Sequence, residues 1–81
     1  MTVTIHVVGS NIDPSKYSVE YWLFDSEWHR HEHGFLNFTK IASNEVVAKY
    51  CIPSDRKYFL SLKLLEEGVP IGYAGVQNYK G

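Results

Sequence analysis

Hydrophobic and polar residues alternate along most of this chain with a period of two. From Thr2 to Val8, Val3, Ile5 and Val7 fall on one face and Thr2, Thr4 and His6 on the other, the pattern of a half-buried strand. Gly9-Ser10-Asn11 and Asp13-Pro14-Ser15 punctuate the chain as a loop. Tyr17 to Phe24 alternates again, with Tyr17, Val19, Tyr21 and Leu23 opposed to Ser18, Glu20, Trp22 and Phe24. Phe35 to Ile41 reads as a third strand. In Glu45 to Ile52, a strand would gather Val46, Ala48, Tyr50 and Ile52, while a helix would be capped by Ser43 or Asn44 and stop before Pro53. The adjacent valines favour the strand. Tyr58 to Leu65 puts Tyr58, Leu60, Leu62 and Leu64 on one side. Its helical rival would leave Glu66 and Glu67 at the negative end of the helix dipole. Glu66 to Pro70 is then a hairpin loop and Ile71 to Gln77 the last strand, where Gly72 and Gly75 point to a bulge or a close backbone approach.

These runs predict an all-β fold, a small six-stranded antiparallel sandwich or partly open barrel. The alternative is an α+β fold with one helix near 45–52 or 55–67. The run Ile52-Pro53-x4-Tyr58-x-Leu60-x-Leu62, with the glycine-containing hairpin after it, resembles the late strands of immunoglobulin-like and fibronectin type III sandwiches. It covers about a third of the chain and implies architecture only.

With 81 residues, the chain is expected to form a single domain, residues 1–81, with a small core. A hydrophobic content of 44% fits a folded protein. The net charge of −1 gives no basic footprint for a phosphate backbone, so nucleic acid is not an expected partner. No segment approaches the roughly 20 apolar residues that span a bilayer, so no membrane partner is expected either. The first residues show neither a basic region nor a long apolar run, and a signal peptide is not expected. The single cysteine, Cys51, excludes an internal disulfide and favours the cytoplasm. Its apolar neighbours predict a buried thiol.

Chemistry concentrates in Trp28-His29-Arg30-His31-Glu32-His33-Gly34. This segment is expected to be a hairpin loop between the second and third strands. If extended, it would point His29, His31 and His33 the same way, with Glu27 in line. Two such imidazoles can share one Zn, Ni or Cu ion, and a bend at Gly34 could add the third. The same residues could make binding pH-dependent near the ordinary imidazole pKa of roughly 6.5.

The second strand is apolar on both faces near its end. A simple sandwich strand buries only one, so Trp22 and Phe24 need a cover or a partner. Trp28 continues that face, and Leu36 and Phe38 extend it if the two strands align their even positions. A bulge, a covering loop or a tail at Tyr79 is the competing explanation. The candidate partner-binding set is Trp22, Phe24, Trp28, Arg30, His31 and Phe38; the candidate metal set is His29, His31 and His33. No nucleophile elbow, phosphate loop or paired-cysteine framework occurs, although Asp25 or Glu27 with a histidine could form an acid–base pair. The expectation is a non-enzymatic protein-binding module: an inhibitor, adaptor or subunit, comparable to phage-type inhibitors of larger host enzymes. A metal-binding or pH-sensing domain and a homo-oligomer are the alternatives.

Overall fold

The computed structural model describes residues 1–78. Seven strands form two antiparallel sheets: β1 (Thr2–Val8), β2 (Tyr17–Asp25), β3 (Arg30–Asn37), β4 (Thr39–Ala42), β5 (Glu45–Cys51), β6 (Tyr58–Glu66) and β7 (Val69–Gln77). One sheet has the order β1-β5-β4 and the other β3-β2-β6-β7. Both regions with a helical alternative, 45–52 and 55–67, form strands instead, over Glu45–Cys51 and Tyr58–Glu66. The β-branched Val46 and Val47, and the period of two through Tyr58, Leu60 and Leu62, outweigh the capping signals there.

The seventh strand arises where one was expected from Phe35 to Ile41. That run is two strands in different sheets, and the switch falls at Phe38. Phe38 is 8% exposed and packs edge-on against Tyr17, with ring centroids 6.2 Å apart. A buried aromatic at the corner lets one continuous segment leave one sheet and enter the other.

The core lies between the sheets. Val46, Ala48 and Tyr50 from β5 meet Val19 and Leu23 from β2 and Tyr58, Leu60 and Leu62 from β6, with Ile12 and Ile52 closing the ends. The β6–β7 hairpin turns on Glu67 and Gly68, tighter than the loop expected over Glu66 to Pro70. Both have positive φ, 50° and 81°, as a two-residue type I′ turn requires. Ile71 is the extra residue of a bulge opposite Leu64 and Leu65.

The neighbour order is that of strands B-E-D and C′-C-F-G of an immunoglobulin-type sandwich, with no counterpart of strand A among the described residues. The β3–β4 corner closes one side of the sandwich. On the other, the edge strands β1 and β7 flank a slot lined by Ile5, Leu62, Leu64, Gly72, Tyr73 and Ala74. Among the described residues no helix is long and apolar enough to cross a membrane.

Candidate binding face on the four-stranded sheet

Register decides which side chains meet on the outer face of the larger sheet. In β2–β6, Glu20 opposes Lys63, Trp22 opposes Ser61 and Phe24 opposes Phe59. In β2–β3, Glu20 opposes Phe35 and Trp22 opposes His33. Even positions of β2 therefore align with odd positions of β3. This corrects the expected alignment. Leu36 lies opposite Val19 and packs on the core, and Phe38 lies inside it, so neither belongs to the Trp22 face.

The pairing shifts once more, between Leu23 and Phe24. Leu23 opposes Glu32 and Phe24 opposes Arg30, which leaves His31 as the bulged residue. The bulge breaks the alternation that would have aligned the three histidines. His33 stacks on Trp22 on the outer face, with ring centroids 5.1 Å apart and planes within 13°. His31 turns toward the core side, edge-on to buried Tyr58 at 5.5 Å. His31 is thus displaced from the expected aromatic face as well. His29 sits in the turn. The segment is strand from Arg30 onward, and the loop is only residues 26–29. Among the described residues no group of three or more His, Cys, Asp or Glu side chains is placed to hold a metal ion.

Each histidine of the segment instead meets a carboxylate. His33 Nε2 donates to Glu20 Oε2 at 2.8 Å, and Lys63 Nζ lies 3.7 Å from Glu20 Oε1. His31 Nε2 donates to Asp25 Oδ2 at 2.8 Å, and His29 Nδ1 is 3.5 Å from the same oxygen. Asp25 Oδ1 accepts from the backbone N–H of Glu27 at 2.9 Å and of His29 at 3.0 Å. The His31 N–H holds the Asp25 carboxyl down at about 2; desolvation opposes this, and the His29 and Glu27 backbone donors and the His29 charge reinforce it. Across the sheet, Tyr21 donates to Glu32 at 2.7 Å, which pushes its phenol up to about 12.

Asp25 is therefore the residue that builds the turn. Two further backbone bonds, Asp25 N to His29 O and Trp28 N to Asp25 O, close it. Within this frame Trp28 has φ of 64°, a conformation that strains any residue with a β-carbon. The strained backbone presents Trp28 at 67% exposure, with its ring edge-on to Phe24 at 5.9 Å and to Phe59 at 5.5 Å. Phe59 is held low over β7 because residue 75 is glycine: a β-carbon there would come within 2.7 Å of the ring.

The outer face thus gathers Trp22, Phe24, Trp28 and Arg30 of the expected set. To these it adds Phe35, Phe59 and Lys63, which the sequence reading missed, and Glu20, which the alternation of the second strand already puts on this face. Phe59 was legible as the odd position between inward-facing Tyr58 and Leu60. A cover from Tyr79 lies outside the described residues. Cys51 is exposed, contrary to expectation: it opposes Thr2 on the outward side of β5, while Tyr50 and Ile52 point inward.

No known protein family matches this chain, and neither does any curated protein or solved structure.

Proposed function

We propose that this protein is a small, non-enzymatic binding module that engages another protein through the outer face of the β3-β2-β6-β7 sheet. One observation carries the reading. Trp28, a large apolar side chain, is held out at the rim of an aromatic cluster by a turn that strains its backbone and fixes it with five hydrogen bonds or more. Strain of this kind costs about 1–3 kcal/mol and persists where the surroundings over-determine it, most often at functional sites. A tryptophan beside an arginine at a sheet edge has the composition of an interface hot spot.

The ring arrangement favours a protein over a stacked sugar. His33 from β3 and Lys63 from β6, its Nζ 5.3 Å from the ring centre, flank the Trp22 indole, which therefore offers an edge. Phe24, Trp28 and Phe59 meet edge to face. Such a surface is ridged, and ridges suit interdigitation with side chains. A cytoplasmic setting fits the lone exposed thiol of Cys51. Inhibitor, adaptor or subunit are the roles this size and surface allow, and a second copy of the chain is the competing occupant of the face.

The test pairs affinity capture with sedimentation. Trp28→Ala should abolish capture of a specific partner while the thermal unfolding transition stays cooperative. Thr4→Ala, on the opposite sheet, should leave capture intact. If the wild-type chain sediments as a dimer and Trp28→Ala as a monomer, the face is a self-contact. If Trp28→Ala unfolds the protein, the tryptophan is a structural residue and the reading fails.

A further inference from the structure

The charges on the outer face are unequal in number and in use. Among the described residues, Arg30 and Lys63 are its fixed cations, and Glu20 is its one carboxylate on a strand. Glu20 is already occupied, with one oxygen on His33 and the other near Lys63. Arg30 is exposed, and among the described residues its side chain has no hydrogen-bond, ion-pair or ring partner. It stands across from Phe24 on the edge strand β3, on the same face as the rings of Phe24, Trp28 and Phe59. Glu27, the acidic residue of the adjoining turn, makes no ion pair with it among the described residues. On a chain whose net charge is −1, this face therefore carries an unspent cation beside an exposed tryptophan.

From this juxtaposition we infer that the partner presents an acidic-aromatic or acidic-aliphatic segment: a carboxylate for Arg30 next to an apolar side chain for Trp28. The inference rests on the reading of this face as a protein-binding surface. The guanidinium supplies a planar fork that pairs with both oxygens of a carboxylate, and it is less strongly hydrated than an ammonium, so it loses less on contact. A neighbouring ring cluster excludes water from the pair and strengthens it. A basic partner would instead meet Arg30 as a like charge, with Glu20 already engaged by His33 and Lys63.

Selection from a phage-displayed library of short random peptides on the immobilised full chain tests the inference. The strongest selected sequence is then synthesised and titrated against variants. Selected peptides should carry Asp or Glu beside an aromatic or aliphatic residue. Arg30→Gln should weaken binding about tenfold or more. Arg30→Lys should recover part of the loss, added NaCl should weaken binding to the wild type, and Lys49→Gln on the other sheet should change nothing. The Arg30 side chain has no intramolecular bonds among the described residues to lose, so its variants should keep the fold. Peptides that need Trp28 but carry no carboxylate, or that bind Arg30→Gln as well as wild type, overturn the acidic partner and leave the face reading standing. Peptides indifferent to Trp28→Ala, or failure to select any, overturn both.

Discussion

Asp25 and Phe38 are the two residues on which the local account turns. Asp25 gathers two backbone N–H groups and two imidazoles around one carboxylate, and its pKa in the fold is held at about 2. A carboxyl with a depressed folded pKa contributes stability that is fully present above its ordinary value near 4 and is lost as pH falls toward 2. The wild-type unfolding temperature should therefore drop steeply across that window. Asp25→Asn should begin lower and show a flatter acid limb in thermal melts taken as a function of pH. Phe38 fills the corner between the sheets, and Phe38→Ala should cost about 3–5 kcal/mol in urea unfolding. Phe35→Ala removes a ring that is 60% exposed and should fall within about 1 kcal/mol of wild type. The opposite ordering would mean that the register of β3 is misassigned.

At the scale of elements, turns and bulges do what alternation alone does not announce. The strands β1, β5 and β6 were legible because their apolar positions recur every second residue and face one core. The histidine segment was not, because its register depends on one inserted residue, His31, and a single insertion reverses which face every neighbour occupies. The switch at Phe38 was hidden for a related reason: Leu36 and Ile41 put apolar residues on both sides of it, and only the packing of two sheets shows where the run divides. Cys51 was misread because its neighbours in sequence lie on the opposite face of the strand. Two turns carry predictions here. Gly68→Ala places a β-carbon at φ of 81° in the β6–β7 turn and should destabilise by about 1 kcal/mol, measured by urea unfolding. In the β2–β3 turn, Trp28→Gly relieves backbone strain while removing the ring contacts with Phe24 and Phe59. The two effects oppose each other, so the melting temperature should move by only a few degrees while partner binding is lost. A large fall in melting temperature would assign the ring to the core.

For the whole molecule, the sandwich leaves the two outer sheet faces unlike each other. The three-stranded sheet turns outward with Thr2, Thr4, His6, Lys49 and Cys51, and His6 is paired with Glu45 at 2.6 Å. The four-stranded sheet turns outward with an aromatic cluster, an engaged carboxylate and an unspent arginine. The aromatic excess was visible in the sequence, as was the double-sided apolarity of Trp22 and Phe24. Which rings shared a face was not, because that needed the pairing of three strands. The central claim is that the cluster around Trp28 is where this protein meets its partner. The most direct measurement is site-specific photo-cross-linking in the source cell, with a photoreactive phenylalanine analogue placed in turn at positions 28, 35 and 4. A discrete adduct from positions 28 and 35, with none from position 4, is the predicted result. An adduct from position 4 alone, or no adduct from position 28, would contradict the account.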